Sequence, residues 1–119
     1  MPSPNPNKSP LYEHVIGAGS PLGSLLNTGV LSNEWTEKYL QLLKEAVQEY
    51  EGQNSLPRDI VAAVHCASWY LNIRYDSWRH FEKGKRNEQT EINLSRIRTP
   101  SEFLLLSAVT EKSRAQLAG

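Results

Sequence analysis

The sequence lacks the means for covalent cross-linking and for membrane insertion. Cys66 is the only cysteine among 119 residues, so no disulfide can form within the chain. No stretch approaches the roughly 18 consecutive apolar residues of a membrane span. The N-terminus has neither the basic start nor the apolar run of a signal peptide. We therefore expect a cytoplasmic protein with no membrane partner.

The chain also carries no net charge. Thirteen Lys and Arg residues balance thirteen Asp and Glu residues, so the whole-chain charge gives no argument for a nucleic-acid or anionic-membrane partner. The two halves differ, because residues 1–57 hold three Lys and six Glu, whereas residues 58–119 hold ten basic and seven acidic side chains. A solvated surface produces the same mild asymmetry.

The apolar pattern predicts an all-α fold, a small helical bundle with three main helices and one or two short N-terminal helical pieces. The first ten residues, rich in Pro, Ser and Asn, are expected to form a disordered or extended arm. Residues 11–119 are then a single helical domain. The short pieces are expected over 11–16 and 22–26, and the second stops near Gly29.

The first and last main helices have clear start signals. Ser32 or Asn33 can cap a helix that runs to about Glu51, with apolar residues at spacings of three and four. The sequence Thr99-Pro100-Ser101-Glu102 matches a capping box and predicts the start of the last helix, in which Phe103 and its apolar neighbours pack. Residues 84–98 are a basic connection that can be loop, extended or a short helix.

The middle helix, from Pro57 to Lys83, is apolar nearly all the way round in its first half. One apolar stripe consists of Ile60, Val64, Ala67 and Leu71, and a second consists of Ala62, Cys66, Trp69 and Ile73. A helix wet on one side carries a single stripe. We therefore expect this helix to have neighbours on most sides, with Cys66 as a buried, inert thiol and His65 as an interior histidine.

The glycine-containing segment Val15-Ile16-Gly17-Ala18-Gly19 resembles the start of a dinucleotide-binding fingerprint. The next glycine, Gly23, lies one position too far along the chain for that fingerprint. No acidic residue follows in a second-strand context either. We therefore interpret the segment as a connector.

Arg74 and His80 are separated by five residues on the middle helix. This Arg-x5-His spacing resembles the ribonuclease signature of the HEPN superfamily, which consists of all-helical proteins that often act as dimers. The resemblance implies a His that transfers a proton and an Arg that stabilises a charged phosphorane. The simpler reading is an Arg that pairs with a carboxylate and a His at the wet end of the helix.

Two further constellations are weaker. Asp76 and His80 lie one helical turn apart and can supply two metal ligands, but the sequence offers no third ligand with a related spacing. His65 and Cys66 are adjacent, and adjacent helical side chains diverge by about 100°, which argues against a thiol–base pair. We expect no metal and no cofactor.

The end of the middle helix combines basic and aromatic residues, so we predict that a partner binds there. The predicted partner-binding residues are Tyr75, Trp78, Arg79, Phe81, Lys83, Lys85 and Arg86. Basic groups beside aromatic rings can bind phosphates and unpaired bases. Cations also collect at helix C-termini to complement the helix dipole, and docking on an acidic protein is a third reading.

Aromatic residues are numerous in the two longest predicted helices. Trp69, Tyr70 and Tyr75 point to different sides of one helix, so either the bundle surrounds it or one side meets another chain. We expect a non-enzymatic protein–protein interaction module, such as an adaptor, regulator, inhibitor or small subunit, whose partner can be a second copy. The alternative is a nucleic-acid-binding helical protein, including a ribonuclease that uses Arg74 and His80.

Overall fold

The computed structural model of this chain describes residues 8–53 and 55–118, with side chains as far as Leu105. All regular structure in these residues is helical, which confirms the predicted all-α fold. The helices are α1 (Pro10–Val15), α2 (Leu22–Thr28), α3 (Asn33–Glu49), α4 (Arg58–His65), α5 (Leu71–Phe81) and α6 (Glu88–Ala118). A π-helical turn (Cys66–Tyr70) joins α4 to α5, and the three together form the central helix, residues 58–81.

Both short N-terminal helices are present. Residues 1–7 of the predicted arm lie outside the described residues, while Ser9 caps α1 and Pro10 is its first residue. The backbone N–H of Ser9 also donates to Asp59 Oδ2 at 2.7 Å, which ties the start of α1 to the start of the central helix. Gly29 ends α2 in the left-handed region (φ +67°), as a helix-terminating glycine does.

The glycine-containing segment after α1 wraps around a tryptophan side chain of α3. Trp35 Nε1 donates to the carbonyl oxygens of His14 (3.1 Å) and Gly19 (2.8 Å). His14 Nε2 in turn bonds the Trp35 carbonyl oxygen at 2.9 Å, and the two rings stack 4.5 Å apart. These contacts give the segment a structural role, because its carbonyl groups are held against α3.

The first main helix forms as predicted. Ser32 Oγ accepts the N–H of Trp35 at 3.1 Å and caps α3. The spacing of Tyr39, Leu43 and Ala46 places all three in the core. The buried Tyr39 hydroxyl is hydrogen-bonded to Ser101 Oγ of α6 at 2.6 Å.

The central helix begins one residue later than predicted, because Pro57 is the residue before its first turn and Arg58 is the first helical residue. It ends at Phe81, and Gly84 follows with φ +91°. The predicted stripe of Ile60, Val64, Ala67 and Leu71 is fully buried in the core.

The predicted start of the last helix at Thr99 is wrong. Helix α6 begins at Glu88 and passes through Pro100, so most of the predicted connection is helical and the capping-box residues lie inside the helix. Asn87 provides the start instead, because its Oδ1 accepts the N–H of Thr90 at 3.0 Å, as an N-cap side chain does. Glu102 pairs with Arg98, one turn earlier.

Two buried polar side chains explain why the first half of α6 does not look like a core helix in the sequence. Thr90 Oγ1 accepts the N–H of Leu31 (2.9 Å) and donates to the carbonyl oxygen of Gly29 (2.8 Å). Asn93 Nδ2 donates to the carbonyl oxygen of Leu31 at 2.9 Å. These hydrogen bonds connect the loop between α2 and α3 to α6. Thr90 and Asn93, which are residue types common in loops, are therefore buried in the interior. In the described part of the chain, no helix is both long enough and apolar enough to cross a bilayer.

Candidate interaction surface

The π turn is the most unusual local feature of the central helix. Leu71 N–H donates to the carbonyl of Cys66, five residues earlier, where an α-helix would span four. Two polar side chains donate to backbone carbonyl oxygens at the turn. Ser68 Oγ donates to the carbonyl oxygen of His65, and Asn72 Nδ2 donates to that of Ser68, both at 3.1 Å. Side-chain donors thus satisfy backbone acceptors where the α-helical pattern is broken.

The turn brings three aromatic rings together on the outside of the molecule. The His65 ring lies 5.5 Å from Trp69 and 6.1 Å from Tyr70, and the Trp69 and Tyr70 rings are 5.4 Å apart. In an α-helix, side chains five residues apart diverge by about 140°. The wider π turn brings Tyr70 closer to the direction of His65, so both larger rings contact the imidazole.

These rings belong to a longer exposed apolar strip. Trp69 is 53% exposed and Tyr70 is 47% exposed, with Val61 and Ile73 above and below them at 38% and 39%. We call Val61, His65, Trp69, Tyr70 and Ile73 the aromatic face. The expectation of neighbours on most sides of the helix is wrong here, because the other helices pack on the opposite side and leave this side open.

His65 and Cys66 have opposite environments. The interpretation of His65 as an interior histidine is wrong, because its side chain is exposed on the aromatic face. Cys66 is buried as predicted, and burial raises the pKa of its thiol. A buried thiol with a raised pKa is a poor nucleophile.

Two of the predicted partner-binding residues, Tyr75 and Trp78, lie in the core. Their rings stack 5.6 Å apart and are 3% and 9% exposed. Trp78 covers Gly29 so closely that a Cβ on that glycine would overlap the indole ring. Both side chains therefore support the fold, and a partner can meet only the more exposed residues around them.

A compact polar network joins α5 to the start of α6. Tyr75 Oη donates to Glu91 at 2.6 Å and accepts the N–H of Asn87 at 2.8 Å. Arg86 donates to both oxygens of the same carboxylate, at 3.0 and 2.7 Å. The Arg86 guanidinium and then the Tyr75 hydroxyl lower the pKa of Glu91 from 4.5 to about 2.

Two of the four predicted partner-binding cations, Lys85 and Arg86, are paired with neighbouring carboxylates, as are two arginines of α6. The ion pairs are Lys85–Glu82, Arg86–Glu91, Arg96–Glu37 and Arg98–Glu102. Arg79 is half-buried, and its Nε has no hydrogen-bond partner among the described residues. It lines a cavity of about 280 Å³ together with carboxylates and a second arginine. Charges of both signs line this space, which weakens its attraction for phosphate groups.

Phe81 and Lys83 lie at the exposed end of the central helix. Phe81 is 73% exposed and contacts only the edge of His80 among the aromatic rings, at 6.2 Å. Lys83 is exposed and has a positive φ of 49° in the turn after the helix. Both are exposed, and they lie beyond the three-ring cluster.

The structure gives no enclosed site to the Arg-x5-His pair. Arg74 and His80 are both exposed, and six residues on an α-helix place side chains about 120° apart. Asp76 is exposed as well. Among the described residues, no group of three or more His, Cys, Asp or Glu side chains is arranged to hold a metal ion.

A second apolar feature lies on another part of the surface. The C-terminal half of α3, the following loop and α6 enclose an open groove of about 730 Å³. Tyr50 and Leu56 line it, together with Val47 and Phe103, which are 41% and 71% exposed. The prediction that Phe103 packs in the core is therefore wrong.

The predicted partner-binding residues do not include the aromatic face. Basic and aromatic residues meet at the end of the central helix, but the three-ring cluster of His65, Trp69 and Tyr70 lies about two turns earlier. A usable signal was present in the sequence: Ser68 and Asn72 interrupt an apolar helix just where backbone acceptors need side-chain donors. No family model, curated protein or solved structure matches this chain.

Proposed function

We propose that this chain is a small non-enzymatic protein–protein interaction module that binds its partner through the aromatic face. Adaptors, regulators, inhibitors and small subunits of assemblies all use such surfaces. The single buried cysteine suits a reducing compartment, and we place the module in the cytoplasm.

The observation that supports this proposal is the paired exposure of Trp69 and Tyr70. Large aromatic side chains dominate the energetics of interfaces, since they bury much area with few rotatable bonds. Here the rings contact each other and His65, so part of their conformational freedom is already lost before binding. Val61 and Ile73 extend the apolar strip along the helix in both directions.

The nucleic-acid alternative has less support. Ion pairs occupy four of the basic residues in the C-terminal half of the chain. A nucleic-acid surface depends on cations that are free to meet phosphates and release counterions. The aromatic face itself has a histidine at its centre and no cluster of cations.

The test compares the double variant Trp69→Ser/Tyr70→Ser with the matched control Ile92→Ser. Ile92 is 53% exposed on α6, so both changes remove exposed apolar area without touching the core. Each tagged protein is used for affinity capture from native cells that also contain the untagged chain, and mass spectrometry identifies what binds.

We expect the wild type and Ile92→Ser to capture the same stoichiometric protein, whether another chain or an untagged copy of this one. The double variant should lose it while keeping a native circular dichroism spectrum. Equal capture by all three proteins would contradict the proposal. Binding to RNA or DNA that weakens steeply with salt and survives the double substitution would favour the alternative.

A further inference from the structure

The aromatic face is arranged symmetrically along the central helix. Ala67, on the opposite side of the helix, marks its midpoint. Val61 and Ile73 are each six residues from that level, and Arg58 and Asp76 are each nine residues from it. Arg58 and Asp76 are both exposed and lie about one helical turn beyond Val61 and Ile73 respectively, so a cation follows one end of the strip and an anion the other. Asp76 also borders the cavity lined by Arg79.

We propose, building on the proposed function, that the partner of the aromatic face is a second copy of this chain, packed with its central helix antiparallel about a two-fold axis. Two-fold dimers are the commonest protein oligomers, and the same patch must then complement itself. Antiparallel packing centred at the level of Ala67 places Val61 opposite the partner copy's Ile73. It also places each His65 opposite a Trp69.

The charges select this orientation. In the antiparallel arrangement Arg58 of each copy lies opposite Asp76 of the other, at both ends of the interface. A parallel arrangement would place Arg58 against Arg58 and Asp76 against Asp76, which is unfavourable at both ends. The chain carries no net charge, so long-range repulsion between copies is absent.

The interface is narrow, and this sets the expected affinity. A strip one helix wide buries less than the roughly 1,600 Å² of a standard interface, so the dimer is expected to dissociate in the micromolar range. Ala62 lies on the same side and is exposed. In this register Tyr70 of the second copy lies at the level of Val64, two residues from Ala62, whose small side chain leaves space for its ring.

The first experiment is sedimentation equilibrium of the full chain across about 1 µM to 1 mM, a range that brackets micromolar dissociation. The expected mass rises from that of one chain, 13.5 kDa, toward twice that value. The wild type and Ile92→Ser should behave alike, and Trp69→Ser/Tyr70→Ser should remain monomeric.

The second experiment tests the orientation by charge reversal. Arg58→Asp and Asp76→Arg should each weaken dimerisation at least tenfold, because each places like charges together at both ends. The double reversal should restore dimerisation, which a merely structural role of either residue would not produce. Each variant is compared with the wild type by circular dichroism.

A wild type that stays monomeric at every concentration overturns the dimer, and a double reversal that does not recover overturns the antiparallel orientation. Neither result excludes capture of a different protein by the aromatic face. If the chain is monomeric while Trp69→Ser/Tyr70→Ser loses a different captured protein, the proposed function stands and the self-association fails.

Discussion

The two sides of the central helix carry aromatic pairs with opposite surroundings. On the inner side, Tyr75 and Trp78 stack on each other, and one bonds a carboxylate while the other covers a glycine. On the outer side, Trp69 and Tyr70 have the same chemical types, but within the described residues their ring partners are His65 and each other alone. The comparison shows that residue type alone does not distinguish a core residue from a surface residue. Whether an aromatic ring is buried depends on which neighbouring helices pack against it.

Replacing the two tryptophans separately gives the largest expected contrast. Trp78→Ala removes a buried ring and should lower the free energy of unfolding by about 3–5 kcal/mol. Trp69→Ala removes a half-exposed ring and should cost about 1 kcal/mol or less. Urea denaturation measures both. Equal losses would mean that the outer ring is as firmly packed as the inner one.

The glycine beneath Trp78 gives the next test. Gly29→Ala places a Cβ against the indole at a positive φ, so we expect a loss of about 2 kcal/mol in unfolding free energy. Gly23→Ala is the matched control, because Gly23 lies in helix α2 with open space where its Cβ would be. That change should stabilise the protein by about 0.5–1 kcal/mol. Thermal and urea denaturation measure both changes. If both substitutions stabilised the protein, or both destabilised it, the contact between Gly29 and Trp78 would not be the cause of the difference.

Removing single hydroxyl groups sharpens the comparison further. Tyr75→Phe removes one of the donors to Glu91 and leaves the Asn87 N–H without its Tyr75 acceptor, which should cost about 1–2 kcal/mol. Tyr70→Phe should change stability by less than about 0.5 kcal/mol, as surface substitutions usually do. Denaturant midpoints with unchanged slopes provide the measurement, and a larger effect at Tyr70 would show that its hydroxyl has a structural partner.

The acid response of Glu91 is the smallest expected effect. Its pKa is lowered from 4.5 to about 2 in the folded protein, so its contribution to stability is complete above pH 4.5 and is lost as the pH falls toward 2. Glu91→Gln should therefore reduce stability at pH 6 and lose that deficit progressively below pH 4.5. Urea unfolding at several pH values measures the difference. A deficit that stays constant down to pH 2 would show that the carboxylate charge is not involved.

Much of the fold is predictable from local patterns. Helix α3 follows from its apolar spacing and the Ser32 cap, and Gly29 ends α2 because it alone tolerates the left-handed conformation there without strain. These features depend on residues close together in the chain. The inner stripe of the central helix is predictable for the same reason.

The start of α6 and the aromatic face depend on contacts distant in sequence. Thr90 and Asn93 look like loop residues until the backbone of Gly29 and Leu31 is placed beside them, about 60 residues away in the chain. Similarly, Trp69 lies in an apolar stretch of sequence and is half-exposed, whereas Trp78 lies between Asp76 and Arg79 and is buried. Only the position of α2 against α5 shows which one is covered.

The π turn also governs how the chain tolerates a change in its length. A π turn contains one residue more than the α-helical segment it replaces. Deleting Ala67 would let the turn close as an ordinary α-helix while Leu71, Tyr75 and Trp78 kept their orientation. The same deletion inside α5 would rotate every later residue of that helix by about 100° and turn its core side chains away from the neighbouring helices. The π turn is therefore the place where the central helix can lose a residue most easily.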